Sequence, residues 1–226
     1  MRFSPTTKKI KALSEDIYVD WEKPSPSSKE IPDWFKKIQS VDDEHHDMTI
    51  KKCIPVLDTL TIGYVFKTSA DVIYDDKYKR FLDNGVGDVV THHPSFQIEN
   101  MEIDSNLDPI PFKWINKFFW QTPKGYSTLF THPLNRTDLP FQTLSGVVDG
   151  PYDMQPGNFP FYIRKGFSGV IEAGTPIAQI IPIKNEAWKA VSDTGIIESA
   201  EKNHKLSNKA MLGWYKRNIW KRKSYE

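Results

Sequence analysis

The feature that most limits what this chain can fold into is the shortness of its apolar runs. Stretches of β-branched and aromatic residues last only a few positions before a Gly or Pro closes them, as in "MTIKKCIPVLDTLTIGYVFKTSADVIYDD" from Met48. Helices that pack a core need a sustained 3.6-residue period, whereas runs of four to eight residues between turn signals suit strands. Thirteen Phe, nine Tyr and seven Trp, with 16 Pro, strengthen that bias, because aromatic and β-branched side chains fit a pleated, half-buried surface. Strands are expected at about Thr49–Ile54, Ile62–Lys67, Asp71–Tyr74, Leu144–Val148, Phe159–Arg164, Gly169–Ile171 and Ile177–Ile183. Two aromatic-rich runs on either side of Thr122-Pro123-Lys124-Gly125 add more, and Asn84-Gly85 is a hairpin signal. Eight or more short strands at this spacing imply a mainly β fold, a β-sandwich, jelly roll or compact barrel-like domain.

A chain of 226 residues holds one such core with appended segments. Residues 1–47 lack sustained periodicity and read as an N-terminal segment wrapping the body, with a short helix near Ser28–Ile38 that opens at Pro32. Residues 48–184 form the β domain. Residues 185–226 turn helical, with Ala187, Trp188, Val191 and later Ala210, Met211, Trp214, Tyr215 and Ile219 at spacings of three and four. From Lys202 to Lys223 there are eight Lys or Arg and no acidic residue, so this tail is basic on a near-neutral chain.

A formal net charge of +1 gives no global attraction to nucleic acid or membrane. No apolar run approaches the roughly 18 residues of a membrane span, and Met1-Arg2-Phe3-Ser4-Pro5 lacks the apolar stretch of a secretory signal. A cytoplasmic protein is expected, in a host cell if the chain is encoded by a phage. Cys53 is the one cysteine, which suits a reducing compartment. Lys51 and Lys52 beside it favour a reactive thiolate, and the plainer account is a half-buried strand residue.

"SGVVDGPY", Ser145 to Tyr152, is the most suggestive motif. Gly146-Val147-Val148-Asp149 and Tyr152, followed by Gly174-Thr175-Pro176-Ile177-Ala178-Gln179-Ile180-Ile181, resemble the third conserved region of dUTPases and dCTP deaminases and the strand after it. The resemblance covers about 40 residues and implies a β-clip fold. It also implies that Asp149 orients an attacking water and that Tyr152 packs on a deoxyribose. A carboxylate held against a water can take its proton, and Mg²⁺ would accompany such chemistry. The chain departs from the pattern elsewhere. No Arg-Ser-Ser-Leu phosphate clamp stands upstream, where "HPLNRTDLPF" offers Arg136 alone, and the C-terminal arm is basic rather than glycine-rich. Asp149-Gly150-Pro151 is equally good turn chemistry.

A broader likeness runs through "KKCIPVLDTLTIGYVF", "FFWQTPKGYSTLFTHPLNR", "LSGVVDG" and "EAGTPIAQIIPI". Cys53 and Pro55, Thr122, Gly125 and Tyr126, Pro133, Asn135 and Arg136, Asp149 and Tyr152, and Gly174 and Pro176 resemble the pattern of an uncharacterised family of small proteins from bacteria and tailed phages. That resemblance implies an architecture and a phage origin, and no catalytic residue.

Remaining motifs are weaker. His45-His46 and His92-His93 are adjacent pairs, and neighbours on a strand point to opposite faces. His93 and His132, each before a Pro, are the pair that a fold would have to bring together; no metal site or cofactor is expected. Nucleophile and phosphate-loop motifs are missing. Arg136 can fork onto a phosphate or carboxylate, or close its own loop through Asp138. Asn135, Arg136 and Gln179 are therefore the ligand-binding candidates, with Asp149 and Tyr152 as catalytic candidates. In the tail, Trp214, Lys216, Arg217, Trp220, Lys221 and Arg222 are the partner-binding candidates. They suit a protein partner or, less directly, the stacking of single-stranded nucleic acid, while the simplest account docks Trp214, Met211 and Ile219 on the body with the charges solvated. The leading expectation is an auxiliary phage protein that binds a small molecule or a protein. A nucleotide hydrolase or deaminase, which would act as a homo-oligomer, and a virion structural or assembly component are the alternatives.

Overall fold

The computed structural model describes residues 8–14, 23–82, 89–149, 157–193, 195–209 and 213–226. The Asn84-Gly85 turn and Tyr152 lie outside them. The fold is mainly β, and every strand pair is antiparallel. Strands follow as β1 Lys11–Ser14, β2 Ser25–Pro26, β3 Tyr64–Lys67, β4 Val72–Asp75, β5 Arg80–Leu82, β6 Val90–His92 and β7 Leu107–Trp114. They continue as β8 Phe118–Gln121, β9 Tyr126–Thr131, β10 Phe141–Thr143, β11 Gly146–Asp149, β12 Phe159–Arg164, β13 Gly169–Ile171 and β14 Pro176–Lys184. The helices are α1 Asp33–Lys37, α2 Ile54–Thr61, α3 Gly195–Lys209 and α4 Trp214–Asn218.

Two larger sheets form a sandwich. One has the order β11-β9-β14-β3-β2 and the other β10-β12-β7-β6, with smaller sheets β13-β4-β5 and β1-β8 beside them. Alternation explains the core: Phe159, Phe161 and Ile163 on β12 point inward with Phe112 and Trp114 on β7, and meet Phe66, Ala178 and Ile180 of the five-stranded sheet. Trp114 stacks on Phe161 with ring centroids 4.2 Å apart and planes 12° from parallel. Rings of this size each bury some 150–250 Å² and supply most of the apolar burial.

The expected strand at Thr49–Ile54 is instead a 3₁₀ turn, Ile50–Lys52, running into α2. Its β-branched residues misled. Thr49 Oγ1 accepts from Lys51 N at the start of that turn, and Pro55 occupies the first turn of α2, where its missing N–H costs nothing. Cys53 is an exposed residue at the α2 N-terminus rather than a half-buried strand position. The expected helical stretch at Ala187–Val191 has no regular structure, and α3 begins only at Gly195.

The N-terminal segment lies on the body through β2, which pairs with β3, and through α1, whose Phe35 is buried. Lys51 Nζ donates to the Phe35 and Lys36 carbonyls at the end of α1. At the join of α2 and β3, Gly63 has φ +73°, and a Cβ there would stand 2.1 Å from the Ile180 carbonyl oxygen. Gly63→Ala should therefore cost about 2–4 kcal/mol, read as a lower urea midpoint at unchanged slope. A midpoint equal to wild type would show that α2 and β14 do not approach this closely.

Candidate functional site

The polar residues that the fold gathers sit where α1, α2, β14 and the loop after β9 converge. Gln179 is central. It is 2 % exposed; its Oε1 accepts from Leu134 N at 2.8 Å, and its Nε2 donates to the Thr59 and Ile62 carbonyls at 3.1 and 2.6 Å. Asn135, held at φ 60°, donates from Nδ2 to Thr59 Oγ1 at 2.6 Å. Asn tolerates this left-handed conformation better than most residues, which lets the chain turn sharply there.

Arg136 forks onto Asp138, with Nε 2.9 and 3.1 Å from the two carboxylate oxygens and Nη2 2.8 Å from Oδ2. Trp34 of α1 donates its indole N–H to the same carboxylate at 3.2 Å. Burial works against ionising Asp138, but the hydrogen bonds and charge of Arg136, with smaller help from a backbone amide and Trp34, outweigh it and hold the carboxyl below its ordinary value. These groups line an open cleft of about 400 Å³ with Lys29, Glu30, Asp33 and Lys36. Its charges balance: three cations, Lys29, Lys36 and Arg136, against Glu30, Asp33 and Asp138.

His132 closes the loop from beneath. Its Nδ1 accepts from Thr143 N at 3.3 Å, so Nε2 carries the proton and donates to the Arg136 carbonyl at 3.0 Å. Burial pushes this imidazole below its ordinary value; the Arg136 carbonyl opposes the shift, and the Arg164 and Arg136 charges add to it.

The structure does not bring Asp149 to this cluster. Asp149 pairs with Ser127 at the start of β9, whereas Asn135 and Arg136 follow the end of that strand. Four residues of strand, roughly 13 Å at about 3.3 Å each, lie between. Ser127 Oγ lies 2.6 Å from both Asp149 Oδ1 and Asn185 Oδ1, and its single proton serves one of them. His93 and His132 also stay apart. His132 bonds Thr143 on β10 and His93 follows β6, the two opposite edges of the four-stranded sheet. Among the described residues no three His, Cys, Asp or Glu side chains stand together as a metal-ligand set.

The tail docks through residues that its aromatic pattern only partly marks. Trp220 Nε1 donates to both Asp58 oxygens at 3.1 and 2.9 Å, and Lys223 Nζ reaches Asp58 Oδ2 at 2.5 Å. Tyr225 packs edge-on against Tyr64, whose hydroxyl donates to the Glu226 carbonyl. Trp214 is half-buried, while Lys216, Arg217, Lys221 and Arg222 are exposed. Ile219, expected as a docking contact, is 45 % exposed, and Met211 lies outside the described residues. Sequence reasoning missed Asp58 as the anchor; an acid on a helix five residues after Cys53 carries no motif that would single it out.

Comparison with known proteins gives no matching family model, no matching curated protein and no matching solved structure.

Two measurements check this cluster. Gln179→Leu leaves one amide and two carbonyls without their buried partner and should cost about 2–4 kcal/mol in urea; a loss under about 0.5 kcal/mol would mean that water replaces all three bonds. Because the folded His132 value is depressed, the neutral ring's contribution is whole above the unfolded value of about 6.5 and is lost as pH falls through that value toward the folded one. His93, lowered by burial and by Lys113, acts in the same sense. The fall in Tm from pH 7 to 5 should thus be shallower in His132→Asn than in wild type, and equal slopes would contradict the buried neutral ring.

Proposed function

We propose that this chain is a phage-encoded auxiliary protein that works by binding another protein, with the β domain as scaffold and the C-terminal segment as contact surface. One observation carries this reading. Beyond β14, Trp188 is 86 %, Val191 71 %, and Ile196 and Ile197 each 62 % exposed. Large apolar side chains clustered in one exposed stretch mark interaction sites. A helix of 15 residues such as α3 is marginal in water unless something packs on its apolar side.

The Trp34–Arg136–Asp138 cleft supports a ligand-binding reading less well. Arg136's fork is taken by Asp138, and the Gln179 amide is spent on backbone groups. Within one chain Arg136 and Asp149 stand at opposite ends of β9, so the nucleotide-hydrolase reading needs them to meet between copies. No helix among the described residues is long and apolar enough to cross a membrane, which is compatible with action in the host cytoplasm.

A photoreactive residue at Trp188 or Ile197, introduced into the full chain during infection, should crosslink to one discrete protein. Trp188→Ser with Ile197→Ser should abolish that product while changing Tm by no more than about 2 °C, since neither side chain supports the core. Crosslinks spread over many proteins, or a Tm drop of many degrees, would contradict the reading.

A further inference from the structure

Between β6 and β7 the chain makes an excursion whose chemistry mirrors that of the tail. From Pro94 to Phe112 there are four carboxylates and no Lys or Arg. Asp108 is buried and paired with Lys79 at 2.5 Å, which leaves Glu99, Glu102 and Asp104 on the surface. Together with β7 and β12, the excursion forms an open groove of about 370 Å³ lined by Phe96, Ile98, Glu99, Met101, Ile103 and Tyr162. Phe96 is 73 % and Met101 48 % exposed. Glu99 and Glu102 take part in no ion pair among the described residues, and Lys165 reaches the far end of the segment by donating to the Ser105 carbonyl.

The tail offers the complement. Residues 202–223 carry eight cations and no acid, leaving the rest of the chain, at 1 minus 8, with a net −7. Trp220 and Lys223 hold its end on Asp58, and so fix α4 with Lys216 exposed. Tyr215 is 41 % and Ile219 45 % exposed; four residues apart on one helical turn, they share a face. A basic turn with two apolar anchors matches an apolar groove with an acidic rim.

We infer that the groove at Phe96–Ile103 receives α4 and the basic tail of a second copy of this chain. The inference rests on the reading of the C-terminal segment as the contact surface and names one partner for it. Groove and tail belong to different sheets of the sandwich, since Tyr64 under the tail is on the β2 side and Tyr162 under the groove is on the β7 side. The contact is therefore head-to-tail, and such contacts build rings or open chains rather than two-fold dimers.

Sedimentation velocity of the full chain over a concentration series tests this. Wild type should assemble beyond a dimer, and assembly should weaken with salt as exposed ion pairs are screened. A groove variant, Glu99→Lys with Glu102→Lys, and a tail variant, Lys216→Gln with Lys221→Gln, should each weaken self-association about tenfold or more. Mixing the two should give 1:1 dimers that grow no further, because one intact groove meets one intact tail. That dimer also shows that both variants fold. A wild type that stays monomeric, either variant assembling as wild type does, or a mixture without dimers would overturn the inference. A monomeric wild type that still gives the discrete crosslink from Ile197 would overturn it while leaving the reading of the C-terminal segment intact.

Discussion

The rest of the structure depends on a single buried amide. Gln179 sits mid-strand on β14, in the centre of the five-stranded sheet, and its three hydrogen bonds go to groups that no neighbouring strand reaches. Two are carbonyls at the end of α2, where a helix leaves its last acceptors unsatisfied. The third is the Leu134 amide, in a loop that begins after Pro133 and cannot join a ladder. Burying any of these alone would cost more than a net hydrogen bond returns. One side chain thus allows a helix end and an irregular loop to lie against the sheet, and Asn135, Arg136 and the α1 contact at Trp34 follow from that placement.

The core accepts two comparable debts without such a remedy. Trp114 Nε1 and Tyr74 OH are buried with no hydrogen-bond partner among the described residues. Burial, with the Asp108 charge next, pushes the Tyr74 phenol up to about 12. Aromatic packing offsets both, since Trp114 lies against Phe161 and Phe141, and Tyr74 against Phe81, Phe112 and Phe167. Asp108 is treated differently. Lys79 bonds both it and Asp76, and these bonds raise the Lys79 value above its ordinary one.

The mainly β character was legible because alternation and turn chemistry agree over β12 to β14. Phe159–Arg164 and Gly169–Ile171 emerge with the bounds that the sequence suggests. Residues 50–61 were not legible as a helix, since Ile, Val and Thr favour strands locally and only Pro55 argued otherwise. Spacing at Ala187–Val191 looked helical, yet periodicity without a packing face does not hold a helix. At the candidate site, Arg136 with Asp138 followed from local sequence, and Asn135 as a tight-turn residue is intelligible afterwards. Contacts that join distant segments, Trp34 to Asp138, Gln179 to Leu134 and Trp220 to Asp58, depend on tertiary placement that no single stretch encodes.

Strand β14 is both the centre of its sheet and the last strand among the described residues. Val65 on β3 finds its partner, Gln179, 114 residues later, and β9 pairs with β14 only after β10 to β13 have been made. During synthesis, β3 and β9 therefore wait as unpaired edges, the state in which β proteins are most prone to pair wrongly. The strand that ends this exposure must leave the ribosome before it can slot between them. The residues after Lys184 give it that opportunity, acting as a leash on which the sheet can close while the chain is still being made.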